Sequence, residues 1–191
     1  MNIMECQIRL SCAVSETHVS APEDTHYHRI ATSLREMVRA YESDGIVFYN
    51  SGDPVNALAC YSYGFGWLHF GVSSGLLAIT RPCACPFTGI HEMLQPPFRA
   101  KLEEKASRYE HLLDRARTSV ICAPDPGTTS HDFAQRVLCI AGLYARFGVY
   151  RKKSGKLEDA LAHFSYGHGW LDAGVTAGFF RIMAERDLFT V

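Results

Sequence analysis

The sequence predicts an all-α protein, an up-and-down helical bundle built from two duplicated helical units. Two observations favour this fold class. Residues 57–79 recur as residues 160–182, an offset of 103, with 13 of 23 positions identical and no gap. In both copies the apolar residues have the spacing of a helix face, and glycines interrupt them at matching places. Self-similarity at a fixed offset indicates duplication, so both halves are expected to fold alike.

The first copy is predicted to hold two long helices joined by a tight turn. Its apolar positions between Ile30 and Tyr41 have helical spacing. Gly52 is suited to end that helix, because glycine readily adopts the left-handed conformation found after helix C-termini. Asp53 is a good N-cap for the next helix, and Pro54 fits its first turn, where no backbone N–H is needed.

Three helices are predicted in the second half of the chain, over residues 98–121, 131–153 and 157–183. A proline-rich connection separates this half from the first half. We therefore expect a first, partial helical unit over residues 1–96, which includes an N-terminal arm and the connection. Residues 97–191 are expected to form a second, complete three-helix unit.

The N-terminus is predicted to differ from the rest of the chain. Apolar residues from Met4 to Val14 alternate with polar ones, and a period of two is typical of a strand. We expect either a short strand, with residues 81–87 or 118–122 as candidate partners, or an extended arm packed on the bundle.

The charge balance argues against two classes of function. The chain has 19 Lys and Arg against 20 Asp and Glu, a formal net charge of -1. Dedicated nucleic-acid binders and proteins that bind anionic membranes need an excess of positive charge, so neither partner is expected. Seven scattered cysteines and the lack of a secretion signal predict a cytoplasmic protein with mostly structural thiols.

Cys83 and Cys85 form the one tight cysteine pair. Their spacing differs from that of a zinc knuckle, and His91 is the one nearby candidate ligand. A loop with two thiols is therefore favoured over a metal site, and no metal or cofactor is expected.

A membrane-spanning helix is the alternative for residues 57–79, which carry no charged side chain and are long enough to cross a bilayer. Their counterparts include His163, His168 and Asp172, and an aspartate at the centre of a membrane helix costs about 2.5–3.5 kcal/mol. Two copies of one fold are expected in the same environment, either both in a membrane or both in water. Both segments are therefore predicted to be buried helices outside any membrane.

Glycines are concentrated in the last predicted helix of each copy. Gly64, Gly71 and Gly75 are spaced to line one face, and the second copy repeats the arrangement 103 residues later. Each glycine inside a helix costs about 1 kcal/mol relative to alanine. Close helix packing recovers this cost and is expected here, with a ligand groove against bare backbone as the alternative.

Candidate binding residues lie on the same helices. His168 and Asp172 share a helix face, where a carboxylate can orient an imidazole, but the first copy has Phe65 and His69 at these places. A polar pair that ties the helix to its neighbour is the simpler interpretation. The large aromatic residues are expected in the core, near a bundle edge. The candidate binding set is His168, Asp172, Trp170, Tyr166, His69, Trp67 and Tyr63, with no catalytic or metal-ligating residue assigned.

The stretches GDPVNALACYSYGFGWLHFG at residues 52–71 and GKLEDALAHFSYGHGWLDAG at residues 155–174 resemble the signature helix of a small archaeal family, known as domain of unknown function 357. The resemblance implies a three-helix unit that ends in this Trp- and Gly-bearing helix. Residues 98–183 would form a full unit and residues 25–80 a second one, whose first helix is missing or replaced by residues 1–20. The resemblance implies no chemistry.

These observations predict a non-enzymatic helical interaction or scaffolding protein, with a protein partner or self-association. The alternative is a small-molecule or metal binder, with or without catalysis, that uses the groove between the glycine-rich helices. A tetratricopeptide-like peptide-binding module is a second alternative, because G-D-x-x-x-A-L-A-x-Y is similar to the first helix of such a repeat. The offset of 103 differs from the period of about 34 residues that those repeats have.

Overall fold

A computed structural model describes residues 1–80 and 89–190. The first unit contains three helices, α1 (Ile3–Glu16), α2 (His26–Asn50) and α3 (Pro54–Ser73). Two short strands, β1 (Thr17–Val19) and β2 (Leu77–Ile79), follow α1 and α3 and pair in antiparallel fashion.

The second unit repeats this order of elements. Its helices and strands are α4 (Arg99–Thr118), β3 (Val120–Cys122), α5 (Thr129–Lys153), α6 (Leu157–Thr176) and β4 (Phe180–Ile182). β3 and β4 pair antiparallel, like β1 and β2. The predicted all-α bundle of two duplicated units is therefore confirmed, with a small two-stranded sheet added to each unit.

The helix starts follow local capping rules. The Asp53 side chain accepts a hydrogen bond from the backbone N–H of Asn56, and Pro54 occupies the first turn of α3, as predicted. Thr25 and Thr128 cap α2 and α5 in the same way, by accepting from the backbone N–H three residues on. The two helices therefore begin at equivalent positions, and both are 25 residues long.

The prediction of a strand or extended arm over residues 4–14 is wrong, because residues 3–16 form helix α1, and the short strand near the N-terminus is β1. Its buried residues are Ile3, Cys6, Leu10 and Ala13. Met4, Ile8 and Cys12 are exposed on the opposite side of the helix. The alternation in the sequence arises because two apolar stripes, one buried and one exposed, interleave along one helix. α1 is therefore the first helix of the first unit, equivalent to α4.

Two predicted helices are too long, because each gives way to a turn and a strand. α4 ends at Thr118 and α6 at Thr176, before β3 and β4. Gly75 and Gly178 lie beyond α3 and α6 with φ of +75° and +80°. They are therefore turn residues in the left-handed region, and the prediction that they belong to a helical glycine face is wrong.

α3 and α6 lie at the centre of the molecule. They pack against each other, and each also packs against the other two helices of its own unit. All residues of α6 except Thr176 are buried. The buried apolar residues of both units form one core cluster. In the parts of the chain that the structure describes, no helix has the length and apolar character needed to cross a membrane.

Candidate functional site

The predicted site residues lie where α3 crosses α6, and two glycines make the crossing close. A Cβ atom built on Gly66 would lie 2.5 Å from the carbonyl oxygen of Tyr166 and 2.9 Å from Cα of Gly169. A Cβ atom on Gly169 would in turn overlap the carbonyl oxygen of Tyr63. Side chains at either position would force the helices apart. Close packing was predicted, but Gly66 and Gly169 were not expected to carry it.

A buried hydrogen bond joins the two units beside this crossing. The hydroxyl of Tyr63 on α3 donates to Oδ2 of Asp172 on α6 over 2.8 Å. Asp172 is 0% exposed and also accepts from the backbone N–H of Thr190, over 3.0 Å to Oδ1, and from the Thr190 hydroxyl. Burial raises the pKa of Tyr63 well above its ordinary value, and the Asp172 carboxyl raises it further. Tyr63 therefore stays a hydroxyl donor at physiological pH.

The same two positions pair again with the units exchanged. Tyr166 is the counterpart of Tyr63, and its hydroxyl lies 2.8 Å from Nδ1 of His69, the counterpart of Asp172. As α3 advances from Tyr63 to His69, its partners on α6 run back from Asp172 to Tyr166, so the helices cross antiparallel. Burial lowers the pKa of His69 to about 4, which keeps its ring neutral at physiological pH. A tyrosine–carboxyl pair and a tyrosine–imidazole pair thus occupy equivalent places.

The model of a family described as "Protein of unknown function (DUF357)" matches residues 8–77 and 108–180. The chain belongs to this family. Each matched segment begins within the first helix of one unit and reaches its last strand, so the chain carries the DUF357 unit twice. No curated protein and no solved structure matches the chain.

In the second DUF357 unit, His168 lies against residues 188–189. Its Nε2 is 3.0 Å from the carbonyl oxygen of Leu188, and its ring meets the Tyr63 ring edge-on with centroids 5.4 Å apart. Burial lowers the pKa of His168, while Asp172 and the Leu188 carbonyl act in the opposite direction. Because a carbonyl oxygen only accepts, Nε2 carries the proton of the neutral ring and Nδ1 carries a lone pair.

A cavity of about 320 Å³ lies beside Tyr63 and His168. Tyr41, Cys60 and residues 187–190 also line it. It borders the crossing of the two DUF357 units, while at the crossing itself the helix backbones are in contact.

The tryptophan of each DUF357 unit lies in the core. Trp67 is 0% exposed and Trp170 is 4% exposed, so the predicted place near a bundle edge is wrong for both. The ring of Phe70 packs edge-on against Trp170, with centroids 6.0 Å apart. Six of the seven candidate residues form two clusters, one of Tyr63, Asp172 and His168 and one of Tyr166, His69 and Trp170. The seventh, Trp67, is buried in the core.

Sequence reasoning missed a second buried polar network, at the start of α6. Asp159, 2% exposed, accepts a hydrogen bond from the backbone N–H of Ile90 over 2.8 Å and pairs with Arg151 over 2.9 Å. Burial acts to raise the pKa of Asp159, but His163, the Ile90 N–H and Arg151 outweigh it and lower the pKa. The first copy has Asn56 at the position of Asp159. This difference between the two copies is the sequence signal that could have revealed the network.

A metal site has no support from the arrangement of ligand-type side chains. Over residues 1–80 and 89–190, no three His, Cys, Asp or Glu side chains are grouped so that they could hold a metal ion. The Cys83 and Cys85 pair lies outside the described residues.

Proposed function

We propose that this chain is a non-catalytic scaffold of the cytoplasm and that it binds a protein partner on the outer face of α5. The candidate residues at the α3–α6 crossing support the non-catalytic part. Tyr63, Asp172, Tyr166 and His69 are all engaged in contacts between the two units. Their hydrogen-bonding groups satisfy one another, which favours a role in joining the units over a role in chemistry.

The observation that carries the proposal is an apolar stripe on the outside of α5. Leu143, Phe147 and Tyr150 are 40%, 44% and 64% exposed, and Cys139 is also exposed. These four residues, here called the α5 stripe, follow one helix face for about 16 Å. Exposed apolar side chains that are contiguous, in contrast to isolated ones, are typical of a protein interaction surface.

The duplication supplies an internal comparison for this stripe. α2 has the same fold and the same length as α5, and its equivalent residues are Glu36, Ala40, Asp44 and Val47. Since α2 folds with a carboxylate where α5 has Phe147, the fold does not require the apolar side chains of the α5 stripe. Exposing apolar side chains to water is unfavourable. Because the fold does not need these side chains, their presence favours a role in binding.

A photo-crosslinking amino acid placed at position 147 in the producing cells tests the proposal. We expect a covalent adduct with a defined protein, identified by mass spectrometry, and a weaker adduct when Leu143→Ala is added. The matched control places the same amino acid at position 44 of α2, where no adduct is expected. Equal labelling from positions 44 and 147, or none from either, would overturn the proposal.

The second candidate is a small-molecule site in the cavity beside His168. It is supported by Nδ1 of His168, which bears a lone pair and has no hydrogen-bond partner among the residues that the structure describes. Phenol, an aromatic hydrogen-bond donor, is a suitable probe. A thermal stabilisation by phenol that persists in His168→Phe, the residue that the first copy carries there, would count against this site.

A further inference from the structure

α1 carries a second exposed apolar stripe, made of Met4, Ile8 and Cys12 and here called the α1 stripe. Met4 is 42% exposed, Ile8 is 60% exposed and Cys12 is also exposed. The stripe faces away from the buried side of α1. Interleaved with the buried stripe of α1, these residues give the N-terminal sequence its strand-like alternation.

The fold does not require this stripe either. The equivalent residues of α4 are Ser107, His111 and Arg115, all polar. α4 takes the same place in its unit with this polar outer surface. Each unit of the chain therefore has one outer apolar stripe that its duplicate lacks, on α1 in the first unit and on α5 in the second.

The two stripes have different charged neighbours. Exposed Arg136, Arg146 and Lys153 lie on the outer face of α5, with Asp132 as the one exposed acid of that helix. α1 has Glu5 and Glu16 beside its stripe and Arg9 as its one basic residue. Two α5 stripes would bring like charges together, whereas an α1 stripe against an α5 stripe pairs opposite charges.

We propose that the α1 stripe of one copy of this chain binds the α5 stripe of a second copy. This inference rests on the proposed function, because it names a second copy as the partner of α5. The contact joins two different surfaces, so each bound pair keeps one free stripe of each kind. Such a head-to-tail contact extends into a chain of copies, or closes into a ring where its rotation allows.

Sedimentation velocity of the purified full chain over a range of concentrations, with reductant present, tests the inference. Two variants each disrupt one stripe by replacing two of its residues with those of the duplicate helix. Met4→Ser with Ile8→His introduces the α4 residues into α1, and Leu143→Ala with Phe147→Asp introduces the α2 residues into α5. Because these residues already occupy equivalent places in the same fold, both variants are expected to stay folded, which circular dichroism checks.

We expect the mass of the wild-type chain to rise with concentration and each variant alone to remain a monomer. An equimolar mixture of the two variants should form a dimer and nothing larger, because one intact pair of stripes remains. The matched control is Val47→Ser, which removes an apolar residue that is 63% exposed on α2 and should leave assembly unchanged.

A monomeric wild type, assembly that survives either variant, or a monomeric mixture would each overturn the inference. If the α5 variant abolishes assembly and the α1 variant does not, the contact joins two α5 stripes. These results are distinguishable from a failure of the proposed function, which the crosslinking from position 147 tests. A monomeric wild type together with a crosslink from position 147 to another protein refutes the second copy as partner but keeps α5 as the binding surface.

Discussion

Gly66 and Gly169 let α3 and α6 touch through their backbones, and this contact has no space for a methyl group. In Gly66→Ala the new Cβ would meet the Tyr166 carbonyl oxygen at 2.5 Å, and backbone atoms of a packed helix cannot move away cheaply. We expect a loss of about 2–3 kcal/mol in the free energy of unfolding, even after the higher helix propensity of alanine is included. Urea unfolding followed by circular dichroism measures it.

Gly142→Ala in α5 is the matched control. A Cβ atom on Gly142 would approach only the guanidinium end of Arg117, at 3.1 Å, and that end can move. The substitution should leave stability unchanged or raise it by up to about 1 kcal/mol through helix propensity. Equal effects of Gly66→Ala and Gly142→Ala would contradict the close crossing.

His69 makes the stability of the molecule depend on pH. Burial lowers its folded-state pKa to about 4, below the value of about 6.5 in an unfolded chain. Between these two values the unfolded state binds more protons, so the contribution of His69 is complete above pH 6.5 and is lost as the pH falls towards 4. Between pH 7 and pH 4.5 this removes about 2 kcal/mol from the free energy of unfolding.

His69→Gln separates this effect from the titration of other groups. Glutamine keeps a polar group near the Tyr166 hydroxyl but does not titrate. Stability of the variant, measured by urea unfolding at both pH values, should fall by about 2 kcal/mol less than that of the wild type on acidification. The same pH dependence in both proteins would mean that His69 is not buried as the structure has it.

α1 is a full helix of the first unit, and its core residue Leu10 should matter as much as its counterpart on α4. Leu10 and Leu113 are both 0% exposed, and each packs next to the equivalent glycine, Gly64 or Gly167. Removing a buried leucine side chain leaves a cavity and costs about 2–5 kcal/mol. We expect Leu10→Ala and Leu113→Ala each to lower the free energy of unfolding by an amount in this range.

Ile8→Ala on the same helix is the control. Ile8 is 60% exposed, so at concentrations where the chain is monomeric its truncation should change stability by less than about 0.5 kcal/mol. A small effect of Leu10→Ala, similar to that of Ile8→Ala, would indicate a loosely attached arm in place of a packed helix.

Local signals made most of the helices predictable. Asp53 and Pro54 mark the start of α3 in the sequence because capping depends only on neighbouring residues. The α1 helix was not predictable from periodicity, because its exposed stripe hides the spacing of the buried one. The pairing of Tyr63 with Asp172 depends on the register between α3 and α6, which no local pattern contains. The repeat showed which residues were equivalent but could not show which ones meet.

The two units share their largest interface through the central helices, and this affects how the whole molecule unfolds. α3 and α6 bury most of their surface in a core to which both units contribute. The division of the chain into units over residues 1–96 and 97–191 stays a prediction. For stability, an isolated unit would expose the face that the other unit now covers, and apolar surface in contact with water is unfavourable.

We therefore expect the chain to unfold in a single cooperative transition, although it contains two copies of one fold. Trp67 belongs to the first unit, and Trp170 belongs to the second unit and also packs against Phe70 of the first. In Trp67→Phe the remaining tryptophan fluorescence comes from Trp170, and in Trp170→Phe it comes from Trp67, while circular dichroism follows all helices. Both substitutions alter the core, so the comparison is made within each variant.

The urea midpoints by fluorescence and by circular dichroism should coincide in both variants. A fluorescence midpoint that precedes or follows the loss of helix in either variant would show that one unit unfolds while the other persists, and that the contacts of Gly66, Asp172 and His69 do not couple the two.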